Sequence, residues 1–318
     1  MNSPGARTAA PSPARPVARG LAAAAAGALL TFAAAVPADA HDAHAAHQDH
    51  HSHKGHGHAP GTYVALGDSY AAGPGIPDQV DANCARSDHN YASLVAAERH
   101  LPLKDVTCSG ATTAEMTGPQ GTAPAQFTAL NSRTALVTLS IGGNDIGFST
   151  ILGTCAHLTA ADPAGAPCRA YYNATGTDQL RAAVNTTAPK IAAVLRGIHH
   201  RAPHAKVVVV GYPDLLPDDG VGCTSASVPF AAGDFAYLRD TEKALNAMLA
   251  KQAARGGARY VDTYRPTVGH DMCKPVGQRW IESLQPASPA APAHPNAAGE
   301  RAMATAVEHA LPVGGKRH

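Results

Sequence analysis

The chain has 318 residues, a formal net charge of +1 and 15% charged residues. Globular domains average about 25%, and a balance this neutral argues against a nucleic-acid partner, which would demand a basic patch. The length allows one large domain or two, once segments that do not fold are set aside.

The N-terminus is one such segment. Arg7, Arg15 and Arg19 precede the sixteen-residue apolar run LAAAAAGALLTFAAAV, and ADA at 38–40 supplies a small-x-small cleavage pattern. Residues 1–40 therefore read as a secretory signal cut after Ala40, and the chain as secreted. The run falls short of the roughly 20 residues that span a bilayer, so no stable membrane anchor is expected after cleavage. Residues 41–60 follow as a histidine-rich tail with almost nothing apolar, expected to be disordered. His41, His44, His47, His50, His51, His53, His56 and His58 fall in it, eight of the eighteen histidines. Their spacing suits adventitious Zn²⁺, Cu²⁺ or Ni²⁺ binding. An extracellular metal-binding protein that uses this tail is thus the competing function class, although no metal is expected in the active site.

From Gly61 to about residue 313 the pattern is that of one domain, with a short C-terminal tail at 314–318. Candidate strands are Thr62–Leu66, Leu103–Cys108, Ala135–Ile141, Lys206–Gly211 and Arg259–Asp262. Helical patterns occupy Tyr91–Arg99, Gln179–His200, Asp234–Arg255 and Asn296–Ala310. Strands alternating with helices predict an α/β fold with a parallel sheet covered on both faces, because parallel strands need crossover connections. The proline-rich stretch Gln285–Pro295 is followed by too little chain for a second domain. It reads as a stiff loop delivering a side chain to the sheet end. The six cysteines, Cys84, Cys108, Cys155, Cys168, Cys223 and Cys273, all follow the signal. An even number in an exported chain favours disulfides. No CxxC occurs, which argues against a thiolate zinc site. Fifteen pairings are open; pairing in sequence order closes the shortest loops and is the expectation adopted.

Ligands of an open parallel sheet bind outside the carboxyl ends of its strands. There the sequence presents GDS with Ser69, CSGAT with Gly110, SIGGND with Asn144 and, in the loop after the last strand, AHPN with His294. A serine attacks an acyl carbon once a base takes its proton, and an imidazole titrates in the right range. The backbone N–H groups of Ser69 and Gly110 and the Asn144 amide are candidate donors to the resulting oxyanion. Asp68 and Asp145 read as structural residues that orient their loops. Trp280, the single tryptophan, is a candidate for an acyl pocket or for the core. No G-x-S-x-G elbow is present, and the serine precedes every histidine of the domain, unlike the chymotrypsin or subtilisin order.

The blocks GDSYAAGPG, SGAT, GGND and HPNAAG, in this order, resemble the SGNH hydrolases, also called GDSL esterases and lipases. The likeness is closest to secreted actinobacterial members. It implies a three-layer α/β/α, flavodoxin-like fold with about five parallel strands. It also implies Ser69 as nucleophile, His294 as base, and Gly110 and Asn144 with the Ser69 amide as oxyanion hole. A secreted, monomeric serine esterase or lipase needing no cofactor follows from it, with phospholipase or carbohydrate acyl esterase activity as variants of the same chemistry. The three sequential disulfides of such members match the pairing above. One feature departs from the family: the acidic residue often found three positions before the histidine is Ala291 here. The expectation is therefore a Ser–His dyad whose Nδ1 is held by the carbonyl of Ala291 or Pro292, with Glu282 and Asp271 as the nearest upstream carboxylates.

Overall fold

The computed structural model describes residues 61–312. The sequence readings on residues 1–60 and 313–318 fall outside them. Five parallel strands make the central sheet: β1 (Thr62–Gly67), β4 (Leu103–Asp105), β5 (Thr134–Ser140), β6 (Lys206–Val210) and β7 (Arg259–Val261), in the spatial order β4-β1-β5-β6-β7. A small antiparallel hairpin, β2 (Gln79–Asp81) with β3 (Arg86–Ser87), stands apart from it. The helices are α1 (Ser69–Ala72), α2 (Tyr91–Arg99), α3 (Phe148–Thr159), α4 (Pro167–Tyr172), α5 (Gln179–Arg201), α6 (Phe235–Arg255), α7 (Tyr264–Thr267) and α8 (Ala297–Ala310).

Alternation along the strands divides the core. Val64, Leu66, Val137, Leu139, Val207 and Val209 face one layer, where α5 brings Ile191 and Leu195 and α6 brings Leu245 and Leu249. Tyr63, Ala65, Leu136, Val208, Val210 and Val261 face the other, against Tyr91 and Val95 of α2 and Met303 and Val307 of α8. Both faces of β6 are thus dry. That is why KVVVV reads as a continuous apolar run where a half-exposed strand would alternate. The result is the expected three-layer α/β/α domain. Among the described residues no helix is long and apolar enough to cross a membrane.

Three differences from the sequence reading concern β4, a hairpin and the stretch after β5. β4 ends at Asp105, yet Val106 and Cys108 still donate to Ala65 and Gly67 of β1 at 3.1 and 3.0 Å, so the chain follows the sheet beyond the regular ladder. The hairpin β2–β3 is short and mostly polar, and strands of three and two residues leave no periodic signature. Helices α3 and α4 occupy the stretch between β5 and α5, to which the sequence reading assigns no element. The helix expected over Gln179–His200 is present as α5, with Pro189 inside it. All six cysteines are paired in sequence order, Cys84–Cys108, Cys155–Cys168 and Cys223–Cys273. The last bridge ties the loop after β6 to the loop before α8.

Candidate active site

The four sequence blocks lie at the carboxyl ends of β1, β4 and β5 and just ahead of α8. At the first, the chain leaves β1 through Gly67 and turns into α1. Asp68 is the N-cap of that helix and accepts from Tyr70 N–H at 3.0 Å. Because the aspartate caps the helix, the Ser69 hydroxyl is left to point elsewhere. It meets His294 Nε2 at 2.7 Å. Ser69 itself is buried apart from 8% of its surface.

His294 arrives on the stiff loop before α8. Ala291 N–H donates to Pro74 O at 2.8 Å, fastening this loop to the residues just after α1. The backbone enters the left-handed region at Ala293 (φ 59°), a strained conformation for a residue with a Cβ. The Tyr70 O–H donates to Ala293 O at 2.6 Å and holds the turn in place. Tyr70 also lies under the imidazole, ring centroids 4.8 Å apart. The second ring nitrogen, Nδ1, is 2.7 Å from Pro292 O. With Nδ1–H donating to that carbonyl, Nε2 is left as the acceptor for the serine proton. Desolvation lowers the His294 pKa from its ordinary value, and the Pro292 bond acts in the opposite direction.

The two carboxylates considered from sequence are otherwise engaged. Glu282 pairs with Arg279 at 2.7 Å and accepts from Asn296 Nδ2 and Ala287 N–H. Burial alone would raise its carboxyl, but these bonds more than offset burial and hold it below the usual range. Asp271 accepts from Cys273 N–H at 2.9 Å. Removing the charge from either, as Glu282→Gln or Asp271→Asn, should leave kcat of the folded enzyme within about threefold of wild type. Glu282→Gln should cost about 3 to 5 kcal/mol of stability, because Arg279 is left buried and unpaired. Turnover at 25 °C and a denaturant titration separate the two effects.

Asn144 and Ser69 line the same cleft. The Asn144 amide donates one hydrogen to Ala111 O at 2.9 Å, which joins its loop to the residue after Gly110. Gly110 is not among the cleft-lining residues but borders them through that bond. It has φ +83°, and a Cβ there would meet only Gln120 Nε2 at 3.5 Å. The glycine is therefore required by its backbone conformation more than by crowding from the protein. Asp145 accepts from Thr113 N–H and Oγ1–H at 2.9 and 2.6 Å, holding the Asn144 loop to the Gly110 loop, as its structural reading expects.

The sequence reading missed the walls of the cleft. About 630 Å³, open mouth included, lies between Phe148, Ile151 and Leu152 of α3, Leu215 and Leu216 after β6, and Leu238 and Leu245 of α6. The signal was present: apolar residues at 148, 151, 152 and 155 repeat at helical spacing directly after GGND. Trp280 lines no part of the cleft and stacks on His270, ring centroids 3.4 Å apart. The arrangement is a serine hydroxyl and a neutral imidazole in hydrogen-bond contact, with an amide donor beside them and an apolar groove leading away. Such a site can transfer an acyl group.

Residues 65–302 match the GDSL-like Lipase/Acylhydrolase family. The chain belongs to that family. It is 42% identical to Lipase 2 of Streptomyces coelicolor over 259 residues, which cover 79% of this chain and 85% of the relative. Among solved structures, it is similar to phospholipase A1 from Streptomyces albidoflavus NA297, with a TM-score of 0.66 and 31% identity over 80% of this chain and 100% of that one. It is similar also to the extracellular lipase of Streptomyces rimosus, with a TM-score of 0.65 and 31% identity over 79% and 100%. This GDSL acylhydrolase is a carboxylic ester hydrolase.

Proposed function

We propose that the protein is an extracellular, monomeric lipase or esterase that cleaves carboxylic esters through an acyl-enzyme on Ser69. The observation that carries this reading is the 2.7 Å contact between Ser69 Oγ and His294 Nε2 at the mouth of an apolar cleft. Ser69 Oγ attacks the acyl carbon and its proton passes to His294 Nε2. The Ser69 and Gly110 N–H groups and the free Asn144 amide hydrogen stabilise the oxyanion. Collapse of this intermediate expels the alcohol, which takes the proton from His294. Water then gives a proton to the same nitrogen and attacks the acyl carbon, and the acid leaves as Ser69 recovers its hydrogen. Pro292 O keeps the ring in the productive tautomer throughout and stabilises the imidazolium less than a carboxylate would. An extracellular location is supported by the S. rimosus relative.

The cleft favours an acyl chain over a charged or sugar-like group, since its walls are mostly apolar and the Glu242 carboxyl among them has its pKa raised by burial. A phospholipid is the second reading, favoured by the likeness to the S. albidoflavus phospholipase A1. The test is a series of p-nitrophenyl esters from acetyl to palmitoyl alongside phosphatidylcholine vesicles. Hydrolysis of the ester series is expected, and no turnover of any acyl ester would refute the reading. Within the series, Leu152→Trp should fill the α3 side of the cleft. It should lower kcat/KM for dodecanoyl esters by about tenfold or more while leaving acetyl esters within about threefold.

A further inference from the structure

The proposed oxyanion donors sit on three separate loops, and one side chain that joins two of those loops belongs to neither. Tyr212 follows β6, two strands away from β1 in the sheet. Its O–H donates to Asp68 Oδ2 at 2.5 Å, one residue before Ser69. The same oxygen accepts Gly143 N–H at 2.8 Å, one residue before Asn144. We propose that Tyr212 is a positioning residue for ester hydrolysis, a strut that sets the Asn144 loop in register with the Ser69 loop, with Asp68 as the acceptor that fixes its hydroxyl. The inference rests on the reading of Asn144 as an oxyanion donor.

The surroundings make Tyr212 rigid. Its backbone N–H and C=O are both held by the Asn246 side chain of α6, at 2.8 and 2.9 Å. The residue is 3% exposed. Its ring meets Tyr70 edge-on, centroids 5.0 Å apart, and Tyr70 in turn supports His294. On the other side the ring lies against the bare Cα of Gly143, where a Cβ would stand 3.1 Å from the phenol oxygen. That contact explains the second glycine of GGND, which allows the phenol to reach the backbone N–H. A donor must be held within a fraction of an ångström of the developing oxyanion to act on it. The strut supplies such a constraint to Asn144 from outside its own loop.

The bridge also has a protonation state. The titratable groups facing Asp68 are Tyr212 after β6, Tyr70 of α1 and Asp145 of the Asn144 loop, and Glu242 of α6, its carboxyl raised by burial, lines the same cleft and acts on Tyr70. Burial raises the Asp68 carboxyl to about 7, and the bonds from Tyr212 and Tyr70 work against the rise. Ionised Asp68 accepts the tyrosine proton. Once protonated, it competes to donate to the same oxygen, and the Tyr212 hydrogen is left without its acceptor. Activity should therefore fall as pH drops through two ionisations, that of Asp68 and, lower, that of His294.

The test measures kcat and KM for a p-nitrophenyl ester from pH 5 to 9 in Tyr212→Phe, Asp68→Asn and Ser69→Ala. For Tyr212→Phe, kcat should fall by about 10- to 100-fold with KM within about twofold. For Asp68→Asn, whose single amide oxygen must serve the two donors Tyr70 N–H and Tyr212 O–H, kcat should fall at every pH, and the ionisation near 7 should disappear from the acid limb and leave one lower step. A Tyr212→Phe kcat within about threefold of wild type overturns the proposal, as does an Asp68→Asn profile that keeps both steps. If Tyr212→Phe does not fold, the Asp68→Asn profile decides. Activity retained by Ser69→Ala would instead sink the reading of the site itself.

Discussion

Ser69→Ala should lower kcat for every ester by about 10⁴- to 10⁶-fold, with a much smaller change in KM. The alanine keeps the cleft and the oxyanion donors but removes the atom that becomes acylated. His294→Ala should fall within the same range, because the serine proton then has no acceptor at 2.7 Å. The double variant should be no worse than either single one, since two groups that act as a unit lose their effect together. Steady-state assays with p-nitrophenyl butyrate, with circular dichroism to confirm folding, read out all three. A loss below about tenfold for Ser69→Ala would place the nucleophile elsewhere.

Asn144→Ala carries the second-largest expected effect, a fall in kcat of about 10²- to 10³-fold, equivalent to about 3 to 4 kcal/mol of transition-state stabilisation. A side-chain amide has two hydrogens. One is spent on Ala111 O, and the other is free for an oxygen at the serine. The oxyanion exists only after attack, so loss of its donor should lower kcat and kcat/KM together and leave KM nearly unchanged. An increase in KM with kcat intact would make Asn144 a ground-state contact instead.

Much of this was legible in the sequence, for reasons that differ by element. The central strands β1, β5 and β6 read clearly because both faces are buried, and Val207–Val210 admits few other environments. The carboxyl ends of the strands drew attention to Ser69, Gly110 and Asn144, and the proline-rich loop to His294, but their roles came from the resemblance that the four blocks carry in this order. The carbonyl partner of His294 was legible too, because Ala291 offers no side-chain acceptor; the structure selects Pro292 from the two candidates. The cleft walls were harder to see. They are assembled from α3, α6 and the loop after β6, segments far apart in the chain whose apolar residues look like ordinary core. Tyr212 carried no signal of its own, since a buried tyrosine after a strand gives no hint of what its hydroxyl will reach. Trp280 shows the converse: a lone large aromatic attracts a functional reading, yet it stacks on His270 away from the cleft.

The claim that Ser69 is the acylated residue is tested most directly by covalent trapping. The wild-type protein is treated with a fluorophosphonate, digested and mapped by mass spectrometry, with His294→Ala as a parallel sample. One adduct per chain, on Ser69, formed in step with loss of esterase activity and suppressed in His294→Ala, is the predicted result. Loss of activity with the adduct on another residue, or full activity with Ser69 completely modified, would contradict it.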